Sequence, residues 1–254
     1  MNYVQRFTEM VGALQTQPEV QLLTFCTFPP ASEDQLLAIE QALGFPLDEA
    51  IKDFYRQTNG LQLRWIMKAN PKFDSEAHQF QDAPEDWTYA AYDYWPDDGS
   101  VFLWPIDKVL YYDWKDFIYF DGMNNIDKER FAGKTYGLLS FKEKIKPFDF
   151  FSKYENMSFF LDGTSNPPVI MGTDNQAVYT DSVVTNFTSY LEFLLYTKGI
   201  VLAREALYSK YNGHEKGVLQ TDASYFEGLP PIELVTYHSE EGTFELPFIK
   251  NFWT

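Results

Sequence analysis

Cysteine is almost absent from this chain. Its one cysteine, Cys26, leaves no partner for an internal disulfide and excludes a cysteine-based zinc site. Cys26 sits in the apolar run Leu22-Leu23-Thr24-Phe25-Cys26-Thr27-Phe28, which predicts a core thiol in place of a nucleophile. Histidine is scarce too. His78, His214 and His238 stand far apart, with neither HxH nor HExxH spacing, so no metal site is expected from them. No apolar run approaches the roughly 18 residues that a membrane-spanning helix requires. The opening MNYVQRFTEM lacks an apolar h-region, so no signal peptide is expected, and a cytoplasmic, reducing location is the default. The sequons at Asn156-Met157-Ser158 and Asn186-Phe187-Thr188 would carry no sugar there. Gly133-Lys134-Thr135 has the ending of a phosphate loop, but Lys128 occupies the place of its first glycine, so the backbone cradle is missing. Neither GxSxG nor GxGxxG occurs.

Positive charge is also in short supply. Asp and Glu number 37 against 20 Lys and Arg, for a net charge of −17. That balance disfavours nucleic acid and anionic membrane surfaces as partners, and favours a basic protein. What the chain has in plenty is aromatic side chains. They make up 18% of its 254 residues, with 23 Phe and 17 Tyr, and hydrophobic residues reach 45%. A sizeable core can form, and the Phe and Tyr content leans toward sheet.

The stretch Pro29 to Met67 organises the rest: PPASEDQLLAIEQALGFPLDEAIKDFYRQTNGLQLRWIM. Ser32 and Gln35 have capping-box spacing, and Leu36, Ile39 and Leu43 then share one helical face. Gly44-Phe45-Pro46 breaks that helix, and Asp48 is a new N-cap. Leu47, Ile51, Phe54 and Tyr55 give a second amphipathic helix, which Asn59-Gly60 is expected to end through a left-handed glycine. Leu61, Leu63, Trp65 and Met67 alternate with Gln62, Arg64 and Ile66 and predict a half-buried strand.

On these residues the stretch resembles the start of the SMI1/KNR4 (SUKH) family. The matching positions are Pro29 or Pro30, Glu33, Glu40, Leu43, Gly44, Pro46, Phe54, Asn59 and Gly60. Phe45-Pro46-Leu47 departs from the Leu-Pro order frequent in the family.

Upstream, Tyr3 or Val4, Phe7, Met10, Val11 and Leu14 mark an amphipathic helix, and Val20 to Phe28 is β-prone. Downstream, short β-like runs are predicted at Val101–Ile106, Val109–Tyr112, Phe117–Phe120, Tyr136–Phe141, Phe148–Phe151, Ser158–Leu161, Val169–Met171 and Ala177–Tyr179. Lys142, Lys144 and Lys146 are read as one face of a protected edge strand. Asn186 to Lys198 is a third clear helix, stoppable by Gly199, and Ile200 to Tyr211 looks helical again. A late helix containing Phe also closes the SUKH module, so the resemblance extends to Gly199. The expected fold is α+β, SUKH-like, with a mostly antiparallel multi-stranded sheet and helices packed on it. Residues 1–28 form an N-terminal helix and lead-in strand, 29–199 the SUKH-like domain, and 200–254 an extension packed on the same domain.

Asp74 to Gly99 has a character of its own. It holds Asp74, Glu76, Asp82, Glu85, Asp86, Asp93, Asp97 and Asp98 with no Lys or Arg, interleaved with Phe80, Trp87, Tyr89, Tyr92, Tyr94 and Trp95. A long insertion with a strand near Trp87–Tyr94 is expected. Adjacent carboxylates such as Glu85/Asp86 and Asp97/Asp98 read as solvated and not as acid catalysts, and Asp93 to Gly99 lacks EF-hand spacing. Carboxylates steer a basic partner, and Trp and Tyr anchor an interface. The candidate partner-binding residues are therefore Asp86, Trp87, Tyr92, Asp93, Tyr94, Trp95, Asp97 and Asp98. No catalytic, cofactor or metal residues are assigned. Trp65 and Trp104 are assigned to the core. The resemblance implies a binding protein, such as an immunity factor that neutralises a bacterial toxin by contact. A regulatory scaffold is the second reading, and a hydrolase with a dispersed site the third.

Overall fold

A computed structural model of the chain describes residues 2–68, 70, 73–76, 98–114, 128–131, 134–151, 155–173, 186–201, 204, 233–239 and 242–248. Helix α1 (Tyr3–Gln15) buries Tyr3, Phe7, Met10, Val11 and Leu14, the stripe its spacing predicts. Strand β1 (Val20–Thr27) follows. Helix α2 (Glu33–Leu43) starts with the expected capping box: Ser32 Oγ accepts from the Gln35 N–H at 3.2 Å, and Gln35 Oε1 accepts from the Ser32 N–H at 2.9 Å. Gly44 closes it at φ 76°, where a Cβ would be strained. Asp48 caps helix α3 (Glu49–Gln57) by accepting from the Ala50 N–H at 2.8 Å. Leu47, Ile51, Phe54 and Tyr55 are all buried.

The end of α3 differs from expectation. Gly60 does not supply a left-handed cap. Thr58 leaves the helix with an extended backbone, φ −157°. Its buried hydroxyl accepts from the Phe28 N–H at 3.0 Å and faces the carbonyls of Phe28 and Gly60 as donor. A β-branched residue favours that extended backbone; the Thr58 N–H donates to the Phe54 carbonyl to end the helix, and the hydroxyl ties its exit to Phe28 at the end of strand β1.

Strand β2 (Leu61–Met67) is not half-buried but covered on both faces. Leu61, Leu63 and Trp65 are buried, and so are Gln62 and Ile66. The second face carries the apolar Ile66 beside Gln62, and β2 is an inner strand paired on both edges. With β1, β3 (Gly99–Leu103), β6 (Ile145–Phe150), β7 (Glu155–Phe160) and β8 (Val169–Thr173) it forms a six-stranded antiparallel sheet ordered β1-β2-β3-β6-β7-β8. Two runs read as strands are helices instead. Helix α4 (Ile106–Tyr111) buries Ile106, Val109 and Leu110, which is i, i+3, i+4 spacing behind Pro105 at the N-cap. Residues 138–144, the latter part of the predicted Tyr136–Phe141 strand and beyond, form α5 (Leu138–Lys144) after a short hairpin of β4 (Lys128–Phe131) and β5 (Lys134–Gly137). Lys142 and Lys144 therefore sit in the last turn of a helix, where cations offset the C-terminal dipole, and Lys146 sits on an inner strand. The edge-strand reading of these lysines is corrected. The runs Phe117–Phe120 and Ala177–Tyr179 lie outside the described residues.

Helix α6 (Phe187–Thr197) is capped by Asn186, which accepts from the Ser189 N–H at 2.8 Å. It packs against α1 and α3. Arg6 of α1 makes a two-pronged pair with Glu192 of α6. Phe187 stands edge-on to Phe54 at 5.4 Å and to Phe148 of β6 at 5.4 Å, which joins the helices to the sheet. Trp104, Trp114 and Phe150 form a second aromatic cluster, and both Trp65 and Trp104 are core residues as expected. A separate hairpin, β9 (Glu233–Ser239) with β10 (Gly242–Phe248), belongs to the stretch after 200. Val201 and Arg204 have helical backbone, and the rest of 200–211, apart from Ile200, lies outside the described residues.

Gly99 at the start of β3 allows a close approach by the Trp65 side chain. A Cβ there would fall 1.9 Å from Trp65 Nε1. That indole is not free to swing away, because its N–H donates to the Lys198 carbonyl at 2.8 Å. Gly99→Ala is therefore expected to destabilise the chain by about 1–3 kcal/mol, as overpacking does. Gly12→Ala, in open space on α1, should stabilise by about 0.5–1 kcal/mol. Thermal melts of both variants check this, and a Gly99→Ala protein as stable as wild type would contradict it.

Candidate interaction surface

The acidic-aromatic stretch joins β2 to β3, neighbouring strands whose paired ends are Trp65 and Gly99. Asp86, Trp87, Tyr92, Asp93, Tyr94, Trp95 and Asp97 lie outside the described residues, as does the strand expected near Trp87–Tyr94. Asp98 lies within them and has a definite job. Its Oδ2 accepts from the Met67 N–H at 2.6 Å, and Asn70 Nδ2 stands 3.1 Å from both carboxylate oxygens. Its carbonyl accepts from the Val201 N–H at 3.0 Å. Asp98 thus ties the exit of β2, the turn at Asn70, the entry of β3 and the chain after α6 at one point. It is half-buried and fixes the root of the stretch, a role sequence spacing did not reveal. At the other end, Asp74 Oδ1 accepts from the Glu76 N–H at 2.8 Å in a local turn.

The described surface carries other charge. On the flank of α2 and α3, Arg56 bridges Glu33 at 2.6 Å, Glu49 at 2.9 Å and Asp53 at 3.1 Å. Lys52 bridges Glu49 at 2.6 Å and Glu40 at 3.0 Å. Hydrogen bonds from Arg56 hold the Glu33 carboxyl below its ordinary value. Lys52 first, then Arg56, do the same for Glu49. Folded, these carboxyls release protons more readily than unfolded. Their stabilisation is present above the ordinary glutamate range of about 4.3 and lost as pH falls through the lowered values. Their exposure keeps that stabilisation small. Exposed apolar groups are few among the described residues: Leu37 on α2, Tyr111 and Tyr112 at the end of α4, and Leu139 on α5. Tyr112 leans on the buried Trp114 at 4.8 Å.

Nothing among the described residues is arranged for catalysis by a metal or thiolate. No group of three or more His, Cys, Asp or Glu there could hold a metal ion. Cys26 is half-buried, and burial pushes its thiol up to about 11, away from a reactive thiolate. His238 lies on β9, while His78 and His214 lie outside the described residues. No described helix is long and apolar enough to cross a membrane.

The pair of capped helices leading into an antiparallel sheet, closed by α6, agrees with a comparison of sequences. The model of the SMI1 / KNR4 family (SUKH-1) matches residues 30–193, more than half of the chain. The chain belongs to the SMI1/KNR4 (SUKH-1) family. A comparison with curated proteins gives no match. The family match covers α2 through most of α6, and with it both ends of the acidic-aromatic stretch. It leaves out α1, β1 and everything after Phe193. Asn59, a matching position of the family resemblance, bridges α3 to α4: its Oδ1 accepts from the Ile106 N–H at 2.9 Å.

Loss of the Asp98 carboxylate removes hydrogen bonds from one backbone donor and one side-chain donor. Asp98→Ala should destabilise the chain by about 1–3 kcal/mol, read as a lower urea midpoint at unchanged slope. A midpoint equal to that of wild type would show that the carboxylate anchors nothing.

Proposed function

We propose that this SMI1/KNR4 (SUKH-1) protein is a non-catalytic binding module that acts as an immunity protein, neutralising a bacterial toxin by direct contact. The observation that carries the reading is the charge. The net value is −17, and from Asp74 to Asp98 eight carboxylates run without one Lys or Arg. A stretch of such charge, presented to solvent, would steer a basic protein and raise its association rate. Trp87, Tyr92, Tyr94 and Trp95 supply the aromatic anchors, and Asp86, Asp93 and Asp97 the steering charge. Asp98 supports them by fixing the root of the stretch. The mechanism is steric occlusion, without turnover or cofactor, and it fits a cytoplasmic protein. A basic nuclease domain is the partner chemistry that fits best.

A regulatory scaffold is the second reading. It is favoured by the separation of exposed apolar groups onto three different elements, Leu37 on α2, Tyr111 and Tyr112 on and beside α4, and Leu139 on α5. It predicts several weak partners where the first reading predicts one tight one.

The test uses the full chain and a toxin domain encoded beside it, followed by stopped-flow association at several salt concentrations. The expected result is a one-to-one complex whose association rate falls steeply with salt. Reversing Asp86, Asp93 and Asp97 together to Lys should slow association by about tenfold or more while the urea midpoint stays put. Unchanged kinetics in the triple variant would remove the surface from the account.

A further inference from the structure

Arg204 is the one residue after Val201 whose side chain is described, and it is fully buried. Its guanidinium is met on each side by a different group. Nε donates to the Tyr190 hydroxyl at 2.9 Å. Nη1 donates to the Gly199 carbonyl at 3.2 Å. Nη2 lies 3.2 Å from Asp149 Oδ2 as an ion pair, outside hydrogen-bond geometry. The Phe151 ring lies under Cζ at 4.7 Å. We propose that Asp149, Tyr190, Phe151 and the Gly199 carbonyl form a guanidinium-binding site built into the fold and filled in cis by Arg204.

The walls of the site are held by contacts that do not involve Arg204. Asp149 is fully buried, and its Oδ1 accepts from the Phe102 N–H at 2.7 Å. Its Oδ2 accepts from the Tyr190 hydroxyl, so that hydroxyl has its proton committed and turns a lone pair toward Nε. Burial holds the Tyr190 hydroxyl well above its ordinary value, which keeps the proton in place. The Tyr190 ring is fixed edge-on to Phe148 at 5.6 Å and stacked on Phe193 at 6.2 Å. The Gly199 carbonyl is aimed by a backbone at φ 70°, where a Cβ would meet Val101 Cγ2 at 2.5 Å. A guanidinium places two N–H donors on the Tyr190 hydroxyl and the Gly199 carbonyl and its charge beside Asp149 while its flat face lies on an aromatic ring, a planar geometry that a compact ammonium lacks. Ligand class is thereby specified. Arg204 also lies beyond the family match at 30–193, and its charged head joins Ile200 and the Val201 N–H in tying the chain after α6 to the sheet.

The test is chemical rescue in the full chain. Arg204→Ala should melt below wild type. Methylguanidinium chloride should raise its Tm in a saturable way, by about 3–6 °C at tenfold excess over the dissociation constant. Methylammonium chloride at equal ionic strength should not, and wild type should respond to neither. In the double variant Arg204→Ala with Asp149→Asn the methylguanidinium response should vanish. Where a variant does not accumulate folded, the same comparison is made on refolding yield, with recovery expected only for Arg204→Ala with methylguanidinium. Equal effects of the two cations, a response that survives Asp149→Asn, or an Arg204→Ala protein as stable as wild type would each overturn the proposal.

Discussion

One buried carboxylate joins the two halves of this molecule. Among the described residues β3 and β6 pair only at Leu103 and Asp149, with the Trp104 N–H reaching the Phe148 carbonyl beside them. The side chain of Asp149 extends that short seam by accepting from the Phe102 N–H. The same carboxylate takes the Tyr190 hydroxyl from α6 and the charge of Arg204 from the chain beyond. Further along β3, the chain after α6 takes over as neighbour. Gly99 bridges Ile200, and the Ser100 N–H donates to the Gly199 carbonyl. Strands β1-β2-β3 and β6-β7-β8 are one sheet because these groups fill the gap. A buried charge of this kind is unforgiving. Removing either member of the pair leaves the other buried without its counter-charge, at a cost of about 3–5 kcal/mol.

What could be read from the sequence was local. The stripe of α1, the capping box at Ser32, the Asp48 cap and the apolar face of α6 all follow from spacing within one or two turns. The α+β class and the antiparallel sheet followed from the many short aromatic runs. The errors have a common source. Ile106, Val109 and Leu110 are β-prone residues in a short apolar run, where periodicity cannot separate strand from helix, and packing on β6 decided for α4. The same ambiguity hid α5. The alternation read for β2 already failed at Ile66, and Gln62 and Ile66 on that second face are both buried. Long-range polar contacts left no local mark at all. Asp149 and Arg204, or Met67 and Asp98, meet only after the chain has turned many times. The one hint was an Asp within the apolar run Phe148-Asp149-Phe150-Phe151, a charge where a strand should be buried.

Asp98 adjoins in sequence the stretch proposed for partner binding. The Asp98 carbonyl and the Val201 N–H meet at the root of that stretch, with Gly199 just before Val201 and Arg204 just after it. In this SMI1/KNR4 (SUKH-1) protein the family fold supplies the sheet from which the connection between β2 and β3 departs, and that connection carries the residues proposed to meet a partner.

Amide hydrogen exchange tests the dependence on Asp149 most directly. The account predicts that the Phe102 and Trp104 amides exchange only through global unfolding, as slowly as the slowest amides in the β2–β3 ladder. Exchange at Phe102 through a lower-energy local opening, with the β2–β3 ladder still protected, would show that the seam opens by itself and that Asp149 does not hold the halves together.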